Sequence, residues 1–264
     1  MAQRGSWTLE VRKSERISPN MQRITFAGEG LRGFPEESAT AYLKIRFPAI
    51  GGGLKRGINR VLGRESIAVR SYTVRCYDPA TGELEIDFVL HADAGAACTW
   101  AKQAKPGDVL HAGGPGPKKL LNLDSDWFVI VGDLSALPAI GANLARLPHA
   151  ATGYALIEIP DEADRQDLTV PPGVDVQWVI NPHSSDSAQI MAERVRALVW
   201  KSGRCDAWVA GELNTVRAVR EHLRNERGMT RDQMYASSYW QLGLTDEEHR
   251  VEKAADQEAA AATA

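Results

Sequence analysis

Apolar and polar residues alternate along much of the first ~115 residues, as in Leu84, Ile86, Phe88 and Leu90. A period of two places alternate side chains on one face of a strand. The pattern predicts strands over Trp7–Arg12, Met21–Ala27, Tyr42–Phe47, Arg70–Tyr77, Leu84–His91 and Val109–Gly113, with a helix around Ala96–Ala104. Turn signals lie between them at Asp78–Gly82 and Pro106–Asp108. Six antiparallel strands of this length close naturally as a small barrel, which removes exposed edges.

The second half changes period. Trp127–Val131 is a buried-strand run, and Leu137, Ile140, Leu144 and Leu147 follow at helical spacing. Strand-like runs recur at Tyr154–Ile159, Val174–Ile180 and Cys205–Ala210. Between the last two lies a helical pattern carried by Ile190, Met191, Val195, Leu198 and Val199. A last helix is expected to open at Asn214, whose side chain suits an N-cap, and to run through Val216, Val219 and Leu223. Strand–helix alternation implies a parallel sheet covered on both faces. The expected division is therefore 1–118 for an antiparallel β-barrel and 119–264 for an α/β domain, with the boundary inside Pro115–Asp124. The Ala-rich segment after Arg250 reads as a short helix or a frayed end.

Composition narrows the classes. Hydrophobic residues make up 44% and charged residues 25% of 264, the balance of an ordinary globular chain with a real core. A net charge of −3 gives no general attraction to nucleic acid. Cys76, Cys98 and Cys205 form no CxxC pair or zinc pattern, which fits a reducing compartment. The six histidines, His91, His111, His149, His183, His222 and His249, show no metal-ligand spacing. With no apolar run of signal-peptide or membrane-span length, the expected location is the cytoplasm. Lys55, Arg56, Arg60 and Arg64, in and after the Gly51–Gly57 loop, add local positive charge that the total hides.

Four stretches carry candidate chemistry. Arg70-Ser71-Tyr72-Thr73 offers a cation, hydroxyls and an aromatic face, which a flavin dinucleotide needs for its pyrophosphate, its N5/O4 edge and its ring. Read alone, it also fits an ordinary strand. Asp87–His91 followed by Gly95-Ala96-Ala97-Cys98-Thr99-Trp100 is a strand, then small residues, then a helix start, whose free N–H groups favour an anion. It also fits a plain junction with Trp100 in the core. Val131–Pro138 follows a strand and opens a helix, with Ser135 as N-cap and Pro138 in the first turn. It sits where open parallel sheets bind nucleotides, though it is not GxGxxG. Ala210-Gly211-Glu212 ends the last strong strand.

Together with Tyr42–Pro48, Pro106-Gly107-Asp108, Ile159–Gln166 and Tyr239-Trp240, these stretches resemble the siderophore-interacting protein family of ferric-siderophore reductases, within the ferredoxin-reductase superfamily. The resemblance spans about residues 7–250 and implies an FAD-binding barrel followed by an NAD(P)-binding α/β domain. It implies that Arg70, Ser71, Tyr72 and Thr73 hold FAD, with Asp87, Val89, Leu90 and His91 at its edge, Ala97, Cys98 and Thr99 near its phosphates, and Trp240 contributing. Gly132, Asp133, Ser135, Ala136, Gly211 and Glu212 would frame NADPH or NADH, with Arg165 a candidate for a 2′-phosphate. Lys44 and Arg46 would face the anionic ferric siderophore. Ferredoxin is an alternative electron donor. A general flavin or ferredoxin-type oxidoreductase, or a non-catalytic ferric-chelate-binding flavoprotein, stays open as another reading. Three positions depart from the family pattern: Gly95–Cys98 where a GPAS-like run is usual, Ser135 for Thr, and Gln241 for the Arg of GYWR.

Overall fold

The computed structural model describes residues 5–48, 67–91, 95–182 and 186–262. The basic residues Lys55, Arg56, Arg60 and Arg64, with the glycine loop before them, lie outside the described residues, as does His183. The chain divides into two compact units, Met1–Lys118 and Lys119–Ala264.

The first unit holds strands β1 (Gly5–Ser18), β2 (Met21–Ala27), β3 (Tyr42–Pro48), β4 (Ile67–Thr73), β5 (Cys76–Asp78), β6 (Glu83–Val89) and β7 (Val109–Gly114), with helix α1 (Ala96–Gln103). They form one antiparallel sheet in the order β4-β3-β7-β1-β2-β6-β5. The sheet has seven strands where six were expected, because Arg70–Tyr77 is two strands with different partners. Val74 exchanges backbone hydrogen bonds with Thr40 and Ala41, at the β3 end, while Arg75 N–H donates to Glu85 O on β6 at 3.0 Å. The end strands β4 and β5 are thus joined through two residues. Covalent continuity curls the sheet, and among the described residues no ladder joins its two ends.

Alternation fills the inside of this sheet. Leu9, Ile24, Phe26, Leu43, Ile45, Phe47, Ile86 and Phe88 are fully buried, and α1 adds Ala97, Cys98 and Ala101. Burial of each large side chain contributes roughly 1.5–3 kcal/mol. Trp100 on α1 sits among Phe26, Phe47 and Phe88, with ring centroids 5.7 to 6.3 Å away.

The second unit is a five-stranded parallel sheet in the order β10-β9-β8-β11-β12. Its strands are β8 (Trp127–Asp133), β9 (Thr152–Ile159), β10 (Gly173–Ile180), β11 (Cys205–Glu212) and β12 (Met234–Trp240). The helices are α2 (Leu137–Leu144), α3 (Ser187–Arg196), α4 (Leu213–Asn225) and α5 (Asp246–Ala262). Central strands β8 and β11 are buried along their whole length, as their continuous apolar runs require. Trp127, Val129 and Val131 pack with α3 and α4 through Met191, Val195, Val216 and Val219.

Two expected caps belong to neighbours. Helix α4 is capped by Glu212, whose carboxylate accepts from Thr215 N–H, so Asn214 lies inside the helix. The cap position of α2 is Ala136; Ser135 stands before it with its hydroxyl on Asp133. Strand β12 is additional to the expected strands.

The tail is an ordered 17-residue helix, α5. Asp256 on α5 receives both Arg220 guanidinium nitrogens at 2.7 Å and Arg217 Nε at 2.9 Å, while Lys253 Nζ donates to Ser237 Oγ at 3.0 Å and to Ser238 O at 2.5 Å. The two guanidinium groups, Arg220 foremost, hold the Asp256 carboxyl down at about 2. Asp256→Ala is expected to cost about 2 kcal/mol in urea unfolding near neutral pH. Because the folded-state value is depressed, this contribution is complete above the ordinary carboxylate range and disappears as pH falls through about 2. Stability unchanged at neutral pH would show that α5 is not anchored there.

Candidate functional site

In the first unit, β3 and β4 pair residue by residue, Leu43 with Tyr72, Lys44 with Ser71 and Ile45 with Arg70. Cross-strand partners share a face. Arg70 and Tyr72 therefore lie on the side of buried Leu43, Ile45 and Phe47. The Tyr72 ring centroid is 4.4 Å from that of Phe88 and 5.9 Å from that of Phe47. Ser71 is exposed on the opposite face with Lys44 and Arg46, whose other neighbours on β7 are Gly113 and His111. The structure thus brings Arg70 and Tyr72 to one face and the two candidate substrate cations to the other.

The β6–α1 junction is tied by backbone and thiol. Leu90 N–H donates to Asn20 O at 2.8 Å. The buried Cys98 Sγ lies 3.5 Å from His91 N and 3.7 Å from His91 O, and Lys102 Nζ donates to His91 O at 2.9 Å. Where a GPAS-like run is usual, the cysteine side chain clasps the end of the preceding strand. The first helical bond runs from Thr99 N–H to Gly95 O, so the amides of Ala96, Ala97 and Cys98 have no acceptor within the helix. Small residues there leave the backbone approachable by an anion. These residues fit a flavin dinucleotide: an aromatic ring at Tyr72, a guanidinium at Arg70 and helix-start amides. Asp87 does not fit that role. Its carboxylate is forked onto Arg23 at 2.7 and 2.9 Å and is about 1% exposed, so it works inside the sheet.

In the second unit, the ends of β8 and β11 flank the point where strand order reverses, the usual ligand position in such sheets. Asp133 ends β8 and accepts four hydrogen bonds. Oδ1 takes Ser135 N–H at 2.9 Å and Ser135 Oγ–H at 2.5 Å; Oδ2 takes Glu212 N–H and Trp240 Nε1–H, each at 2.8 Å. Gly211 is required here: its φ is +138°, and a Cβ would stand 2.4 Å from Asp133 Oδ2. Gly132, Asp133, Ser135, Ala136, Gly211 and Glu212 thus converge on one strand-end cluster. Trp240 belongs to it, with its indole N–H committed to Asp133. Gln241 presents a buried side-chain oxygen with no partner.

Glu158 escapes sequence reasoning. It pairs in register with Asp133, is 3% exposed, and leaves Oε1 without a hydrogen-bond partner. Burial, with Asp133 and Glu212 adding repulsion against the pull of Ser187 and Asn181 hydrogen bonds, raises its carboxyl to about 7. A single acid inside the apolar run Ala155–Ile159 is the signal that marks it. Among the described residues, no group of three or more His, Cys, Asp or Glu side chains is placed to hold a metal.

An antiparallel sheet with a flavin-compatible face, followed by a parallel sheet with a nucleotide-compatible strand end, defines a flavoprotein fold of the ferredoxin-reductase kind. The ferredoxin-NADP+ reductase of Plasmodium falciparum shares this fold, with a TM-score of 0.62 at 12% identity over 89% of this chain and 97% of that one. Residues 10–119 match the profile of the siderophore-interacting FAD-binding domain, and residues 125–243 match that of siderophore-interacting protein. The ferric vibriobactin reductase ViuB of Vibrio cholerae is 34% identical over 251 residues, 93% of each chain. The siderophore-interacting protein SipS from Aeromonas hydrophila aligns with a TM-score of 0.82 at 29% identity, over 96% of this chain and 98% of that one. The chain belongs to the siderophore-interacting protein family.

The buried acid gives a pH signature. The unfolded chain ionises Glu158 in the ordinary carboxylate range, whereas the fold resists ionisation up to about 7. The cost to folding therefore grows as pH rises between these values and is complete above them. Glu158→Gln is expected to stabilise the protein by on the order of 2 kcal/mol at about pH 8, and by nothing below about pH 4. Urea titrations of both proteins across this range check it; a pH-independent difference would refute it.

Proposed function

We propose that this protein is an FAD-dependent reductase that passes electrons from NAD(P)H to ferric siderophores, releasing Fe(II), in the cytoplasm. The observation that carries this reading is the end-to-end similarity to a ferric vibriobactin reductase, 93% of each chain. Among the described residues no helix is long and apolar enough to cross a membrane.

The FAD supplies the conversion of a two-electron hydride into single electrons suited to Fe(III). The balanced outcome is one NAD(P)H oxidised, two Fe(III) reduced to Fe(II) and one proton released. Chelators built for Fe(III) hold Fe(II) less tightly because the lower charge weakens hard-oxygen ligation.

The residues divide this work. Tyr72 offers the ring a flat apolar partner, with Val89, Leu90 and His91 along its edge; Ser71 and Thr73 point their side chains to the other face of β4 and would contribute through their backbone. Arg70 and the amides at the start of α1 answer the pyrophosphate charge, through Ala97, Cys98 and Thr99. In the second unit, Gly132, Ser135, Ala136 and Gly211 shape the donor position, and Asp133 and Glu212 hold that shape. Lys44 and Arg46, exposed and cationic, draw an anionic chelate to the outer face of β3.

Purified protein reconstituted with FAD is expected to show flavin absorption bands that bleach anaerobically on adding NADH or NADPH. They return on adding a ferric siderophore, with Fe(II) trapped by a colorimetric chelator. Tyr72→Ala is expected to weaken FAD binding about tenfold or more, the size of one lost aromatic stacking partner, read by fluorescence titration. Bands that persist with both dinucleotides but bleach with reduced ferredoxin would move the donor. Undiminished FAD affinity in Tyr72→Ala would move the ring.

A further inference from the structure

We infer that the donor position is built for a dinucleotide with a free ribose 2′-hydroxyl, NADH, and discriminates against the 2′-phosphate of NADPH, through Glu158 and the Asp161-Glu162 turn. The inference deepens the donor reading above and rests on it.

Strand β9 is the second strand of the nucleotide-type sheet, lying directly beside β8. In sheets of this order the adenosine ribose is read at the end of that second strand. An acidic side chain there accepts from the 2′-hydroxyl, whereas a free cation there accommodates a 2′-phosphate. Two independent features of this strand end favour the hydroxyl.

The first is the charge of the turn that follows. Between Pro160 and Asp167 the exposed charges are Asp161, Glu162 and Asp167 against Arg165: three negative less one positive leaves two negative, with Asp164 buried beneath them. Arg165, the natural candidate for a 2′-phosphate, is already paired through Nε with Glu162 Oε1 at 2.7 Å. Asp161 is exposed, held in place by Ala163 N–H donating to its Oδ1 at 2.8 Å. A phosphate arriving here meets carboxylates, and Arg165 would have to leave its partner.

The second is an unanswered acceptor. Glu158 Oε1 is buried at the same strand end without a hydrogen-bond partner, while Ser187 and Asn181 hydrogen-bond the carboxyl otherwise. The neighbouring Asp133 and Glu212 have their carboxylates engaged by Ser135, Glu212 and Trp240, and by Thr215, Asn214 and Leu242. A buried acceptor left unpaired is costly, and a hydroxyl supplies the missing donor. Above about pH 7, where the Glu158 carboxyl is ionised, a phosphate dianion has no hydrogen to give it and adds repulsion.

The test separates this inference from the donor reading. The FAD-loaded protein is titrated calorimetrically with 5′-AMP and with adenosine 2′,5′-bisphosphate, and its flavin is reduced anaerobically with NADH and with NADPH. The bisphosphate is expected to bind about tenfold more weakly than 5′-AMP, as one added like-charge contact in a partly exposed site would produce. NADPH is expected to need correspondingly higher concentrations than NADH to reach the same bleaching rate. The double variant Asp161→Asn, Glu162→Gln removes two charges and releases Arg165, so the ratio of the two nucleotide affinities should fall to about unity. Equal or tighter binding of the bisphosphate by the unaltered protein, with both dinucleotides active, overturns the inference and leaves the donor reading standing. An unchanged affinity ratio in the double variant also overturns it. Failure of both nucleotides to bind, with neither dinucleotide bleaching the flavin, removes the donor reading and this inference together.

Discussion

The Asp133 carboxylate organises the second unit. It ends a strand buried on both faces and collects donors from its own following turn, from the end of β11 and from the indole of β12. Three strand ends that could splay apart are thereby fixed at the position where a ligand would arrive. The arrangement leaves no room for a side chain at Gly211, so glycine there follows from Asp133 as much as from its positive φ. The Glu212 amide it satisfies would otherwise be a buried N–H without a partner, costing roughly 1–3 kcal/mol. The shape of this strand end is therefore a by-product of satisfying backbone and indole groups around one acid.

Much of the architecture is legible from periodicity because burial imposes it. Continuous apolar runs mark β8 and β11, and alternation marks β3 and β6, since only those patterns suit strands covered on two faces or one. What is not legible depends on partners far along the chain. The break at Val74–Arg75 has no turn residue; it appears because Thr40, Ala41 and Glu85 compete for the same stretch. Strand β12 is half-buried, and Ser237 and Ser238 break its apolar residues, so it shows neither a continuous run nor clean alternation. The Ala-rich end is an ordered helix because Arg217 and Arg220, some forty residues away, reach Asp256.

The candidate site divides the same way. Residue types in the Arg70–Thr73 and Val131–Pro138 stretches mark them as candidates, because cations, aromatics and strand-end turns suit nucleotide chemistry. Pairing does not show in a linear reading. Asp87 looks available until Arg23 is placed opposite it. Ser135 and Asn214 satisfy the rule for caps, yet Ala136 and Glu212 occupy the cap positions. Lys44 and Tyr72 are both attractive, yet the pleat sends them to opposite sides of the sheet.

The two-residue link between β4 and β5 also bears on how tightly a flat ring can be gripped. Tyr72 lies two positions before Val74, which is clasped by Thr40 and Ala41, and Arg75 is clasped by Glu85 on β6, beside the far end strand. Its ring is further wedged against Phe47 and Phe88. A platform anchored this closely has little freedom left to surrender when a ligand stacks on it. More of the contact energy is then expressed as affinity, and less is spent on ordering the protein.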